Sequence, residues 1–255
     1  MTVAEKLKVL VFPSREAMGS AAAAYVAEEI RSTLQRQARA RVVFAAAPSQ
    51  TEFLASLVST PEIPWARVEA FHMDEYLDVR PGSPQSFGQF LRMHLFDRVP
   101  FARVEYMDPE PRDPEAECAR YAELLAERPI DLICMGIGEN GHVAFNDPPV
   151  ADFSDPLPVK IVEIDGPCRA QQVHDGSFAR IEDVPRLAIT LTVPTLLAAR
   201  TLSVVVPGRR KAQAVHQTVT GPLGTACPAS ILRTHPCARL FLDRDSASLL
   251  PNMEA

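Results

Sequence analysis

The chain has no CxxC pair, and its five cysteines, Cys118, Cys134, Cys168, Cys227 and Cys237, fall at no regular spacing. An odd, dispersed set excludes a disulfide framework and reads as reduced thiols of a cytoplasmic protein. No stretch approaches the roughly 18 apolar residues of a membrane span. The opening MTVAEKLKVLVFPS carries one short apolar run from Leu7 with no small-residue cleavage site after it, so it reads as a first strand rather than a signal peptide. Basic charge is not in excess. With 26 Lys and Arg against 32 Asp and Glu, the net charge of −6 leaves no footprint for nucleic acid or an anionic membrane. Internal repeats, low-complexity tracts and long linkers are lacking too. So are an HExxH pair, a Walker loop, a nucleophile elbow and a zinc knuckle, and the six histidines form no short cluster with cysteine. No metal is expected.

What is present is the composition of a globular protein, 47% hydrophobic and 23% charged over 255 residues, enough for one large domain with a well-buried core. Short β-rich runs alternate with helical patterns. Strands are expected at Leu7–Phe12, Arg41–Ala45, Val68–Phe71, near Val104–Met107, at Ile130–Gly136, Val159–Ile164, Leu187–Leu191, Leu202–Val206 and Leu240–Leu242. Helices are expected over Glu16–Gln37, Gln50–Ser59, Ser86–Val99 and Asp113–Glu127. This alternation predicts a single-domain, Rossmann-like α/β fold, a mostly parallel sheet in three α/β/α layers. Ligands of such sheets bind beyond the carboxyl ends of the strands, so chemistry belongs on the loops that follow them. The proline-rich Asp147–Pro158 is the candidate lid.

Three segments stand at such places. In FHMDEYLDV, Phe71–Val79, a partly desolvated Asp74 could act as a general base, although strand-ending acids often only cap a turn, with Glu75 solvated. In GIGENGHVAFNDPP, Gly136–Pro149, the glycines Gly136, Gly138 and Gly141 allow backbone N–H groups close to a ligand, and His142 precedes Asp147 by five residues. A carboxylate that orients a histidine fixes its tautomer and suits it to proton transfer near neutrality. The alternative is a glycine-rich turn with an incidental histidine; the glycine spacing is not a dinucleotide-binding fingerprint. The third segment is Gly208-Arg209-Arg210-Lys211, at the start of a helix running toward Val219. Three cations at a helix N-terminus are locally unfavourable unless an anion such as phosphate binds there. A solvated basic turn is the competing reading.

FHMDEY, GIGENGHVAFNDPP, GRRKAQAV and ASILRTHP (Ala229–Pro236) occur in this order, and together they resemble the glucosamine-6-phosphate deaminase/isomerase family from about Val68 to Leu250. The resemblance implies conversion of an amino-sugar 6-phosphate and water to a ketose 6-phosphate and ammonia, without metal or organic cofactor. It implies that Asp74 moves a proton between C2 and C1, that His142 opens the sugar ring with Asp147 as its partner, and that Lys211 holds the phosphate. Arg210, Ser49 and the backbone at Gly138 and Gly141 are the neighbouring candidates for substrate contact. The implied partner is a small sugar phosphate, with homo-oligomer formation open.

Several positions depart from the family pattern. Asn140 stands where the family has an aspartate, which leaves Asp147 as the expected carboxylate partner of His142. Asp147 is one methylene shorter than the usual glutamate. Ala45–Glu52 (AAAPSQTE) replaces a Gly/Ser/Thr-rich phosphate loop, and Ser49 with Glu52 reads as a capping box. His174 falls where the family has a phosphate-binding arginine. Two alternatives follow from the same motifs, a 6-phosphogluconolactonase-like hydrolase and a non-catalytic sugar-phosphate sensor.

Overall fold

The computed structural model describes residues 7–251. A seven-stranded parallel sheet runs in the order β1 (Lys8–Phe12), β10 (Ala238–Asp243), β9 (Thr201–Val206), β6 (Leu132–Met135), β2 (Ala40–Phe44), β3 (Val68–His72), β5 (Arg103–Glu105). β2, β3, β6 and β9 are buried at every position, as expected of central strands covered on both faces. From β2 the chain order runs one way through β3 to β5, and from β6 the other way through β9 to β10. The crevice beyond the carboxyl ends of β2 and β6 is thus a topological switch point. Two loops meet there, Ala45–Gln50 after β2 and Gly136–His142 after β6, and the Ala45 N–H donates to the Cys134 carbonyl across the gap at 2.8 Å.

Helix α1 (Arg15–Arg36) starts at Ser14, whose hydroxyl accepts from the Ala17 N–H, and buries Met18, Ala22, Val26, Ile30 and Leu34 at four-residue spacing. It packs on α2 (Thr51–Ser59) so closely that a Cβ on Gly19 would lie 2.8 Å from the Phe53 nitrogen. Contact at Gly19 therefore sets how α2, and the loop before it, sits over the crevice. The remaining helices are α3 (Phe87–Leu91), α4 (Pro114–Ala126), α5 (Gly166–His174), α6 (Val193–Leu197) and α7 (Ala212–Thr220).

The parallel α/β/α expectation holds for the main sheet, but the chain also forms a second sheet. β4 (Asp74–Tyr76), β8 (Leu187–Leu191) and β7 (Val159–Glu163) make a three-stranded antiparallel sheet. β7 and β8 were expected in the main sheet, and Asp74 was expected on a loop. In the structure only Met73 separates β3 from β4, and the Leu191 N–H donates to the Met73 carbonyl. Other differences are local. The helix expected over Ser86–Val99 is α3 followed by a wider π turn, Arg92–Phe96. The helix expected from Gly208 is a 3-10 turn, Arg209–Lys211, before α7. The capping box is not made: Ala47 precedes a 3-10 turn at Pro48–Gln50 without a side-chain cap, and Glu52 instead pairs with Arg15 at 2.9 Å. The helix start is tightened by Pro48, which leaves Glu52 free to reach α1. Residues 1–6 of the opening segment lie outside the described residues.

Candidate active site

Asp74, His142 and Lys211, far apart in sequence, line one crevice at the switch point, with Ser49, Gln50, Gly138, Gln171, Gln172 and Phe87. Polar groups converge in it, as in a small-ligand cleft.

Asp74 owes its place to strand alternation. Along β4, Asp74 faces the crevice while Glu75 points the other way. Glu75 is not solvated. It is fully buried and accepts from the N–H groups of Tyr76, Phe87 and Gly88 and from the Ser86 hydroxyl, which ties β4 to the start of α3. Asp74 takes no hydrogen bond from any described group and is 7% exposed. Burial pushes its carboxyl well above the usual carboxylate range, and the neighbouring Glu75 charge adds to this. An unsolvated carboxylate of this kind is a stronger base than one in water. Tyr76 packs among Phe87, Phe145 and Phe178, so an aromatic wall keeps water from that side. His72, two residues earlier, belongs to the core. Its Nε2 accepts from the Met107 N–H, and burial drives its value down to about 3, so it is neutral.

The loop after β6 folds back on itself. The Gly138 N–H donates to the His142 carbonyl and the Gly141 N–H to the Gly138 carbonyl. Two glycines are required. Gly141 has φ +84°, and a Cβ on Gly138 would fall 2.2 Å from the imidazole of His142, which lies against it. Gly141 does not line the crevice; its carbonyl accepts from Ala229 behind the loop. The His142 Nδ1 stands 3.0 Å from Asp147 Oδ1, at ion-pair distance but outside hydrogen-bond geometry. Asp147 is fully buried. Burial alone would push its carboxyl up, but His142, the Asn140 amide and the Asp165 N–H outweigh it, and the carboxyl sits below its usual range.

Asn140 does not leave Asp147 as the only carboxylate near the histidine. Its Nδ2 donates both to Asp147 Oδ1 at 2.9 Å and to Asp165 Oδ1 at 3.2 Å, while its Oδ1 accepts from the His142 N–H at 3.0 Å. Asp165 caps α5, eighteen residues after Asp147 in sequence. The Asp-Gly-Pro signature at 165–167 marks a helix start, but nothing in sequence spacing joins it to Asn140.

At the other end, the Lys211 side chain is nine-tenths buried and hydrogen-bonds no described group. Burial pulls its ammonium down, opposed by Asp175 and Glu139 nearby. Arg209 and Arg210 point outward, so Lys211 is the cation of the crevice, and Arg210 lines an adjoining depression with His174. His174 stands 3.3 Å from Glu139, partnered rather than free. Ser49 borders both spaces. None of residues 148–158 lines the crevice. Among the described residues, His142, Asp147 and Cys168 bring ligating atoms within 4.8 Å of one another. Burial raises the Cys168 thiol well above its usual range, and Asp147 Oδ1 already takes the Asn140 amide. No described helix is long and apolar enough to cross a membrane.

Comparisons with known proteins show the family and the fold. Residues 13–152 match the model of the family described as glucosamine-6-phosphate isomerases/6-phosphogluconolactonase. A glucosamine-6-phosphate deaminase of Lactobacillus delbrueckii subsp. bulgaricus is 35% identical over 202 residues, 79% of this chain and 84% of that protein. The protein of the same name from Listeria welshimeri is also 35% identical over 202 residues, with the same shares covered. A monomeric glucosamine-6-phosphate deaminase of known structure superposes with a TM-score of 0.87 at 25% identity, over 95% of this chain and 99% of that one. A 6-phosphogluconolactonase from Trypanosoma brucei shares the fold, with a TM-score of 0.78 at 17% identity over 97% of this chain and all of that one. The chain belongs to the family of glucosamine-6-phosphate isomerases and 6-phosphogluconolactonases.

Proposed function

We propose that this protein is a deaminating isomerase that converts glucosamine 6-phosphate, or a close relative such as galactosamine 6-phosphate, and water into a ketose 6-phosphate and ammonia. The observation that carries the reading is the unpartnered, buried carboxylate of Asp74 facing the same crevice as His142 and the free ammonium of Lys211. An aldose–ketose conversion needs these three things: a carbon base, a ring-opening acid–base and an anchor for the remote phosphate.

Lys211 receives the phosphate and so fixes the reacting carbons against the base. His142 moves a proton from the anomeric hydroxyl to the ring oxygen, and the sugar opens to its aldehyde; Asp147 steadies the imidazolium that forms on the way. Asp74 then removes the C2 proton, the electron pair forms the C1–C2 double bond as the C1 oxygen takes a proton from the substrate ammonium, and the same carboxyl returns its proton to C1. The product is an imine at C2. Water adds there, ammonia leaves, and the ketone remains. Each step moves protons between groups of the chain and substrate, with no redox change and no cofactor.

The test measures ammonia release from glucosamine 6-phosphate and galactosamine 6-phosphate, and hydrolysis of 6-phosphogluconolactone, after chelator treatment. The reading expects ammonia from an amino sugar, unaffected by the chelator. It expects the rate to fall by about 10²–10⁴ in Asp74→Asn, the range of a lost general base. Turnover of the lactone alone, or ammonia release unchanged in Asp74→Asn, overturns it.

A further inference from the structure

The Asn140 amide is held between two carboxylates, and this arrangement fixes its orientation. The Nδ2 group must face the two acceptors, Asp147 and Asp165, and Oδ1 must face the His142 N–H. Asp165 is joined to Asp147 a second time, through its own N–H to Asp147 Oδ2 at 3.2 Å. Its carboxylate is held in turn by the Cys168 N–H at 2.8 Å, so it is fixed by the first turn of α5. We propose that Asp165 is a positioning residue for His142: through Asn140 and through its own N–H it holds Asp147 in place, and it brings a second carboxylate to the asparagine that binds the His142 N–H. The inference rests on the deaminase reading for its kinetic consequences.

The chemistry calls for such a charge. Ring opening takes His142 through its imidazolium form, and each carboxylate nearby favours that form. Two carboxylates packed against one another would repel, but a donor with two N–H groups between them lets both sit by one histidine. A carboxylate at position 140 would do the opposite, with three acids in contact and no side-chain donor between them. Burial and the Asp147 charge push the Asp165 carboxyl up, while His142 and the Asn140 amide work against them, so Asp165 and His142 feel each other. The other titratable groups around His142 are Asp147 on its own loop, Cys168 on α5, and Asp74 and Lys211 across the crevice.

The experiment is a charge exchange. Asp165→Asn keeps a good helix cap and one acceptor for Asn140, and removes the charge together with the longer Oδ2 contact at 3.4 Å. It is expected to lower kcat about tenfold with a smaller change in KM, and to move the acid limb of the kcat profile, set by protonation of the resting imidazole, to lower pH by roughly half a unit or more. Asn140→Asp alone is expected to lose at least about tenfold. Asn140→Asp with Asp165→Asn returns the site to two carboxylates, with the amide now at 165 able to donate to the acid at 140, and should recover part of that loss. A limb that stays in place in Asp165→Asn overturns the proposal, as does a double variant no better than Asn140→Asp. The ring nuclei of His142, followed by NMR without substrate, separate this proposal from the functional reading. In Asp165→Asn they should shift at lower pH than in wild type. If they do while wild type releases no ammonia, the deaminase reading fails and the Asp165 link stands. If wild type is active and the ring titration does not move, the Asp165 link fails.

Discussion

Asp74 and Lys211 are opposite charges made unusual by the same cause. Both are held in the crevice without a partner from the chain, and burial disfavours the charged form of each. Each is left to find its partner in a ligand, Asp74 a carbon acid and Lys211 an anion. Lys211→Met should therefore raise KM for glucosamine 6-phosphate much more than it lowers kcat. The expected loss in kcat/KM is roughly 10–100-fold, as for about 1.5–3 kcal/mol from a charged hydrogen bond. Steady-state kinetics against the phosphorylated and unphosphorylated amino sugar check this; a loss equal for both would show that Lys211 does not read the phosphate. His174 contributes less to such an anchor, because Glu139 already engages it.

Two secondary-structure elements deliver the acid–base pair, and each is set by a short local device. β4 is held by pairing with β8, by the Met73 carbonyl and by the four donors on Glu75. The His142 loop is held by its own backbone bonds and by glycines that give the ring room. A methyl on Gly138 has nowhere to go, since it would meet the His142 ring rather than a flexible chain end. Gly138→Ala is expected to turn the imidazole away from the crevice and lower kcat about 10²-fold, the effect of roughly an ångström of misplacement. Far-ultraviolet circular dichroism should stay that of wild type, because the strand before the loop is untouched. Unchanged kcat in Gly138→Ala would mean that the ring position seen here is not the working one.

The molecule as a whole carries a cost for its base. Folding takes Asp74 from water into a place with no donor and next to Glu75, so its folded value is raised above the unfolded 3.8. The sign follows directly. The contribution of this carboxyl is at its best below the unfolded value and is lost as pH rises through the folded one. At neutral pH and above, Asp74→Asn removes a buried charge and should raise the melting temperature, by roughly 2–4 °C for each kcal/mol in a protein of this size. Below about pH 4 the two proteins should melt alike. Thermal melts across pH test this, and a variant less stable than wild type at pH 7 would indicate that the Asp74 carboxylate has a structural partner. Loss of activity with a gain in stability is what a base poised by burial predicts.

How much of this was legible beforehand follows the range of the forces involved. Local periodicity and the mostly apolar run at Ile130–Gly136 placed most strands and helices and the parallel α/β class, because hydrophobic patterning acts over neighbouring residues. FHMDEY, GENGHVAFND and GRRK, each at the end of a strand, marked Asp74, His142, Asp147 and Lys211 before any fold was known. What lay beyond reach was whatever depends on contact between distant segments. The small antiparallel sheet that carries Asp74 joins residues more than a hundred positions apart. The partners of Glu75, Glu52 and His174 are chosen by packing of one element on another. Most plainly, the amino-acid order alone determined that His142 is followed by an aspartate five residues on. Only the tertiary structure decided that a second carboxylate, on the first turn of a later helix, meets the same asparagine, because a side-chain amide selects its acceptors by distance in space and not along the chain.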